Sequence, residues 1–223
     1  MRQIFRDKKI DRQFSENGFY KCELLTAEEV ALCKGVFERN DPHVAANFYS
    51  SIDSENFEYR RNVHRELKQI VDTRMANIFL DYKNMAYTFI AKRGNSPDTR
   101  VFPHVDDTHI LEEDELVSVN LFCPLVDTNT TNGALCVLPK SHKLPYSWRA
   151  VGVDFTYRDY WDIYKDDVIE VAQNAGEAIF YHDRLIHLSN PNLSPETRPV
   201  IVTGFMPNEA TPVFCYKVHG LSL

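Results

Sequence analysis

The hydrophobic pattern of the first third of the chain predicts helices. Residues 26–29 form a capping-box sequence, and the apolar residues that follow over 30–37 recur at helical spacing. This helix is predicted to end before the Asn-Asp-Pro sequence at 40–42. A second helix is predicted over about 55–80, where the apolar residues form one stripe. A short strand is predicted within 14–24, ahead of both helices.

The pattern changes after residue 83, where apolar runs of strand length alternate with turn residues. These runs lie at 85–92, 101–105, 116–122, 134–138, 177–182, 199–206 and 212–218. Helices followed by strands indicate an antiparallel sheet system with helices packed outside, not alternating βαβ units. We therefore expect a mainly β protein with flanking helices, built as a jelly roll or a related double sheet. One domain over 1–223 is the simplest interpretation, with a helical part at about 14–82 and a jelly-roll core at about 84–218.

A long aromatic-rich insert interrupts the strands at about 143–170. An insert of this length is typical of a functional lid, which would wall a substrate pocket. The alternative, of equal weight, is that the rings pack the insert onto the body of the protein. The aromatic residues are Trp148, Phe155, Tyr157, Tyr160, Trp161 and Tyr164.

Composition and charge narrow the possible classes of protein. The chain has 223 residues, of which 43% are hydrophobic and 26% charged, as in globular proteins. Its net charge is −7 without a basic cluster, so no nucleic-acid or anionic membrane partner is indicated. No run is apolar enough for a membrane span or a signal peptide, and a cytoplasmic location is expected. Five dispersed cysteines favour neither a disulfide framework nor a cysteine-based zinc site.

The sequence "VFPHVDDTHI" contains a candidate half of a metal site. His104 and Asp106 are two residues apart, so on a strand both side chains would project from one face. A third ligand must come from elsewhere, and His187 is the favoured candidate because Arg198 follows it on a returning strand. Two histidines and one carboxylate leave open positions suited to non-haem Fe(II), and an arginine fork binds a carboxylate. These residues therefore point to a 2-oxo dicarboxylic acid as cosubstrate.

Three stretches resemble the phytanoyl-CoA dioxygenase family of Fe(II)/2-oxoglutarate oxygenases. "PHVDD" resembles the first ligand pair of the family. "NGALCVLPKSHK" at 132–143 resembles its strand-and-turn signature, and "HLSNPNLSPETR" at 187–198 resembles its distal segment. The resemblance spans about residues 14–207 and implies a double-stranded β-helix, a cupin-like jelly roll. It also implies Fe(II), 2-oxoglutarate and O₂ as cofactors and cosubstrates, with ascorbate as a supporting reductant.

The resemblance also implies roles for individual residues. His104, Asp106 and His187 match the iron ligands. Arg198 matches the residue that pairs with the distal carboxylate of 2-oxoglutarate, and Ser189 matches its hydrogen-bonding helper. Further cosubstrate-facing positions, by approximate alignment, are Asn120, Tyr87 and Phe89. Candidate substrate-binding residues are Arg184, Arg100 and Trp161, although exposed or salt-bridged charge is the alternative for the two arginines.

The function expected from this site is hydroxylation of an unactivated C–H bond in a small metabolite or natural-product intermediate, with release of succinate and CO₂. A halogenase is disfavoured because Asp106 occupies the position that halogenases leave without a carboxylate. The alternatives are a non-oxidative cupin-like metal protein, such as an isomerase or lyase, and a non-catalytic binding module. The expected partner is a small molecule, and the oligomeric state stays open.

Overall fold

The computed structural model describes residues 2–41, 45–111, 116–145, 149–150 and 153–214. Its helices are α1 Lys8–Asn17, α2 Ala27–Asn40, α3 Phe57–Met75 and the single turn α4 Trp161–Tyr164. Its strands are β1 Phe19–Glu23, β2 Phe48–Ser50, β3 Tyr82–Asn84, β4 Thr88–Lys92, β5 Val101–His104, β6 Val119–Pro124, β7 Leu135–Val137, β8 Ile169–Val171, β9 Glu177–His182, β10 His187–Ser189 and β11 Arg198–Pro207.

The helix ends follow local capping chemistry. The capping box at the start of α2 is confirmed, because Thr26 accepts from the Glu29 backbone and the Glu29 carboxylate accepts from the Thr26 backbone. Helix α1 is capped by the Asp7 side chain and ends at Gly18, whose φ of 84° suits a residue without a Cβ. The prediction of a strand over 14–24 was thus wrong for its first residues, which belong to α1, and right for β1.

Two antiparallel sheets form the body of the protein. The larger has seven strands in the order β1-β9-β6-β11-β4-β2, with β3 also paired to β11, and the smaller has the order β5-β10-β7-β8. This mainly β architecture with helices outside confirms the predicted fold class. No helix in the described ranges is long and apolar enough to cross a membrane.

The larger sheet is covered on both faces, and alternate side chains of each strand project to opposite faces. One face packs against α1, α2 and α3 through buried side chains such as Phe89, Phe180 and Ile201. The other face points to the smaller sheet through Ile179 and Val200. Because successive strand residues project to opposite sides, this parity decides which residues reach the space between the sheets.

The strand predictions were confirmed for most of the core. The runs at 101–105, 134–138, 177–182 and 199–206 correspond closely to β5, β7, β9 and β11. The run at 212–218 lies mostly outside the described residues, and Pro212 forms only an isolated bridge with Ile110.

The insert at 143–170 has little regular structure of its own. It contains short helical turns, α4 and the start of β8. Its aromatic residues Phe155, Tyr157, Trp161 and Tyr164 pack against Leu138 and Ile186 of the body. This favours the packing interpretation of these rings. Trp148, another ring of the insert, lies outside the described residues.

Candidate active site

A cavity of about 520 Å³ lies between the two sheets. It is lined by residues from both of them, including His104 and His187 on the smaller sheet and Asn120, Tyr181 and Arg198 on the larger. Apart from His109, Arg198 and the cluster formed by His104, Asp106 and His187, the described lining residues carry no ionisable acid or base other than the Tyr181 phenol. The charged groups are therefore confined to a few points in a largely apolar chamber.

The structure brings together the three side chains predicted as metal ligands. His104 and His187 are paired in the register of β5 and β10. One ligand atom from each of the three residues lies within 4.8 Å of the others. The Asp106 Oδ1 is 3.9 Å from His104 Nε2 and 3.7 Å from His187 Nε2. Two imidazoles and one carboxylate on one side of a point are the donor set of a non-haem iron site.

Hydrogen bonds orient both imidazoles toward this point. The Nδ1 of His104 is 2.9 Å from the carbonyl of Phe102, and the Nδ1 of His187 is 2.9 Å from the carbonyl of Leu185. When Nδ1–H donates to a carbonyl, the lone pair of Nε2 is left for a metal. Burial, followed by the nearby His104, lowers the pKa of His187 to about 4 and so favours the neutral ring that a metal requires.

Asp106 is held by the larger sheet, not by its own strand. Strand β5 ends at His104, so the alternation expected along a strand does not place Asp106. The Asp106 N–H donates to the carbonyl of Asp183 at 3.2 Å, and the Oδ2 accepts from Asn120 Nδ2. Burial, followed by the charge of Asp106 and a hydrogen bond to it, raises the pKa of Tyr181 well above its usual value. Asn120 thus faces the cavity, but it contacts the Asp106 carboxylate.

A buried ion pair that the sequence did not indicate supports the same loop. Arg149 donates to the carbonyl of Asp106 at 2.7 Å and to the Asp183 carboxylate at 3.1 Å. The two side chains are only 5% and 3% exposed. Burial alone would raise the pKa of Asp183, but contacts with His182, Arg149 and Ser118 hold it well below its usual range. Arg149 belongs to the insert, so the insert takes part in positioning Asp106.

Arg198 is buried in the cavity wall without a carboxylate partner. It is 1% exposed, and its Nε and Nη1 have no hydrogen-bond partner in the described chain. Burial lowers its pKa to about 9. A buried guanidinium with orphaned donors fits the distal carboxylate of a 2-oxo dicarboxylic acid, because such donors are costly to leave unpaired. Ser189, also buried, lines the same cavity.

Lys92 is a charged residue at the end of β4, yet it is buried. Its side chain is fully buried and lies opposite Arg198 in the pairing of β4 and β11. Burial, and then the proximity of Arg198, lowers the pKa of Lys92 to about 7. The signal that could have revealed this burial is its even position in β4, which it shares with the cavity-facing Thr88 and Ile90.

Tyr87 and Phe89 do not line the cavity, contrary to the expectation that they occupy cosubstrate-facing positions. Both point to the helical side of the larger sheet, where the Tyr87 hydroxyl donates to Asp72 at 2.8 Å and Phe89 packs on Phe37. The cavity is lined instead by Thr88 and Ile90. The alignment was off by one residue, which on a strand reverses the face.

None of the three predicted substrate-binding residues lines this cavity. Arg100 and Trp161 line a separate cavity of about 640 Å³, formed with residues of the insert. The half-buried Arg184 lines neither of these cavities. Val101 and Leu188 line both cavities, so substrate binding by Arg100, Trp161 and Arg184 stays a prediction.

Two other histidines, His109 and His142, have separate environments. His109 lines the main cavity. His142 is buried, with its Nε2 3.1 Å from the carbonyl of Ser15. Burial, and next the neighbouring His182, lowers the pKa of His142 to about 4. His142 therefore has a structural role in joining the turn after β7 to α1.

The fold and the site together define a double-sheet protein with a two-histidine, one-carboxylate cluster beside a buried arginine. The family model for phytanoyl-CoA dioxygenase matches residues 25–200, and the chain belongs to that family. The family depends on Fe(II) and 2-oxoglutarate, which confirms the expected cofactors.

Individual relatives agree with this assignment. "Phytanoyl-CoA dioxygenase 1" of Oryza sativa subsp. japonica is 34% identical over 103 residues, which are 44% of this chain and 36% of that protein. The match thus spans about a third of the rice protein. The carbocyclase SnoK, described as non-heme and alpha-ketoglutarate dependent, is 20% identical with a TM-score of 0.63, covering 96% of this chain and 88% of its own. The epimerase SnoN, solved with Fe³⁺, alpha-ketoglutarate and nogalamycin RO, is 17% identical with a TM-score of 0.68, covering 96% and 87%.

Proposed function

We propose that the protein is an Fe(II)- and 2-oxoglutarate-dependent dioxygenase that hydroxylates an unactivated C–H bond of a small molecule. In the balanced reaction, the substrate, O₂ and 2-oxoglutarate yield the alcohol, succinate and CO₂. The observation that carries this proposal is Arg198, a buried guanidinium with orphaned donors in the same cavity as the three-residue cluster. A non-oxidative metal protein has no need of a buried carboxylate-binding group at this place.

Each residue of the site would have its own role in this reaction. His104, Asp106 and His187 would hold iron, and Arg198 with Ser189 would hold the distal carboxylate of 2-oxoglutarate. The bound iron and cosubstrate supply the oxidising chemistry. Asn120 occupies Oδ2 of Asp106 and leaves Oδ1 directed toward the two histidines. The apolar walls, such as Phe122 and Leu135, exclude water from the reacting bond.

The walls of the cavity support a substrate without charge at its reacting end. The described lining residues beyond the cluster and Arg198 offer apolar groups, amides and hydroxyls, with His109 as the remaining titratable imidazole. We therefore propose a small metabolite or natural-product intermediate as substrate. SnoK and SnoN, a carbocyclase and an epimerase, share the fold, so ring closure and epimerisation are the outcomes that product analysis must separate from hydroxylation.

The first test is an anaerobic titration of the metal-free protein with Fe(II) and then 2-oxoglutarate. A weak visible charge-transfer band is expected when the cosubstrate chelates the iron. Arg198→Met should weaken the binding of 2-oxoglutarate by about a hundredfold, as loss of a charged hydrogen-bonding partner predicts. Arg158→Met removes the same charge from an exposed position and serves as the control. Iron binding without the band would refute the assignment of 2-oxoglutarate.

Turnover supplies the second test. Succinate should form from 2-oxoglutarate in the presence of Fe(II), O₂ and a panel of small uncharged substrates. Asp106→Ala should abolish succinate formation and weaken iron binding, because it removes one of three ligands. Unchanged succinate formation in that variant would refute the site, and a product lacking a new oxygen atom would refute hydroxylation.

A further inference from the structure

A second buried cation lies beside Arg198, behind the wall of the cavity. Lys92 has no exposed surface and is the direct cross-strand partner of Arg198. In the described chain neither side chain has a carboxylate within ion-pair distance. Two adjacent buried cations without an anion are destabilising, since each is desolvated and each repels the other. Such a pair indicates a place where an anion binds.

The contacts of Lys92 connect it to the cavity through Ser189. Its Nζ donates to the Ser189 Oγ at 2.7 Å, to the Ser189 carbonyl at 3.3 Å and to the Asn190 carbonyl at 2.6 Å. A carboxylate bound beside Lys92 favours the protonated lysine. An ammonium group is only a donor, so Ser189 Oγ then acts as its acceptor. The hydroxyl proton of Ser189 is then left to donate elsewhere. Ser189 and Arg198 line the cavity, whereas Lys92 lies behind them.

This geometry gives Lys92 a definite task in the recognition of a carboxylate. A serine hydroxyl that rotates freely can present either a lone pair or a proton to a ligand. When the Ser189 oxygen accepts from Lys92, the Ser189 hydroxyl group is oriented to donate its proton to the ligand. A carboxylate is an acceptor and therefore needs such a donor. The lysine charge adds to that of Arg198 at the same point. A ligand without a carboxylate there would gain neither contact.

We propose that Lys92 is a positioning residue that makes the cavity selective for dicarboxylic over monocarboxylic 2-oxo acids. It acts by fixing Ser189 as a hydrogen-bond donor and by adding a second positive charge beside Arg198. This inference rests on the proposed function, because it assigns the distal carboxylate of the cosubstrate to this end of the cavity.

Equilibrium binding to the Fe(II)-loaded protein without O₂ tests the inference. The probes are 2-oxoglutarate and 2-oxobutyrate, which chelate a metal alike but differ in the distal carboxylate. Lys92→Met should raise the Kd of 2-oxoglutarate about tenfold to a hundredfold and leave that of 2-oxobutyrate within about twofold. Lys9→Met, the same change on the exposed surface of α1, should alter neither value.

The selectivity ratio separates positioning from a merely structural role. If Lys92→Met weakened both acids equally, or neither, the inference would be overturned. If the wild-type protein bound iron but not 2-oxoglutarate, the proposed function would fail instead. Should Lys92→Met not fold, as judged by circular dichroism, Lys92→Gln keeps a donor but removes the charge. It should raise the Kd of 2-oxoglutarate less than Lys92→Met would and still leave that of 2-oxobutyrate unchanged, and equal weakening of both acids would overturn the inference.

A double-mutant cycle tests whether Lys92 acts through Ser189. Ser189→Ala alone should weaken 2-oxoglutarate binding, and Lys92→Met should weaken it much less in the Ser189→Ala background than in the wild type. Full additivity of the two effects would show that Lys92 does not orient the Ser189 hydroxyl and would overturn this part of the inference.

Discussion

Replacement of Arg149 by methionine should both destabilise the protein and loosen the metal site. Arg149 and Asp183 are 5% and 3% exposed, so the change leaves a buried carboxylate without its cationic partner. Breaking a buried pair in this way costs about 3–5 kcal/mol. Ser118 and His182 still contact Asp183 at 2.8 Å each, which places the expected loss near the lower end, at about 3 kcal/mol.

The same substitution removes a hydrogen bond from the backbone of a predicted metal ligand. Arg149 donates to the Asp106 carbonyl at 2.7 Å and to the Asp183 carbonyl at 3.0 Å, and the latter also accepts from the Asp106 N–H. Loss of a group that supports a metal ligand typically weakens metal binding by about tenfold to a hundredfold. We therefore expect the affinity for Fe(II) to fall in this range even where the variant is fully folded.

Urea unfolding of the metal-free protein and anaerobic Fe(II) titration measure the two effects separately. Arg158→Met is the matched control, because Arg158 belongs to the same insert but its pair with Asp154 is exposed, at 67% and 86%. Exposed pairs contribute little to stability, so the control should behave as the wild type. Equal stability of Arg149→Met and the control would refute the buried-pair argument, and unchanged Fe(II) affinity would refute the support of Asp106.

The contacts of His142, Tyr87 and Asn120 give three further predictions. Because burial lowers the pKa of His142 to about 4 from an unfolded value near 6.5, its contribution is complete above about pH 6.5 and lost as the pH falls toward 4. Urea unfolding at about pH 7.5 and about pH 5 should show a loss of stability that is about 2 kcal/mol smaller in His142→Gln than in the wild type, because His187 contributes to the loss in both proteins. An equal loss in the two proteins would contradict this. Tyr87→Phe should lower the free energy of unfolding by about 1 kcal/mol, because it removes the hydrogen bond to Asp72, and should leave the Kd of 2-oxoglutarate unchanged. Weaker binding of 2-oxoglutarate would instead indicate that Tyr87 contacts the cosubstrate. Asn120→Ala should weaken Fe(II) binding about tenfold by freeing the Asp106 carboxylate, and an unchanged titration would show that this hydrogen bond is dispensable.

The fold was predictable because helices and strands occupy different parts of the chain and have different hydrophobic periods. The capping box at Thr26 and the strand runs after residue 83 were enough to indicate helices outside an antiparallel double sheet. The three side chains of the cluster were also predictable, since the spacing of His104 and Asp106 and the distance from His187 to Arg198 are local properties of the sequence. Their convergence in space agrees with that reasoning.

The faces of the larger sheet could not be predicted in the same way. In a strand with one solvent-exposed face, alternating polar and apolar residues show which side chains point to the core. Strand β4 is instead covered by helices on one side and by the smaller sheet on the other. Tyr87 and Phe89 are as apolar as a cavity lining would be, so hydrophobicity did not distinguish the two sides. Arg149 and Asp183 were missed for another reason, because their pairing joins segments with no shared pattern.

The polar groups of the cavity differ in how their burial is compensated, and this difference locates the ligands. Asp106 accepts from Asn120 on one oxygen, and Asp183, which does not line the cavity, accepts from Arg149 and Ser118 on its Oδ2. Arg198 has no such partner on two of its nitrogens. Since an unpaired buried donor costs free energy in the ligand-free protein, a ligand that pairs with it recovers that cost as binding affinity. We therefore expect the cosubstrate to bind beside Arg198, where the chain leaves donors in the cavity wall unsatisfied.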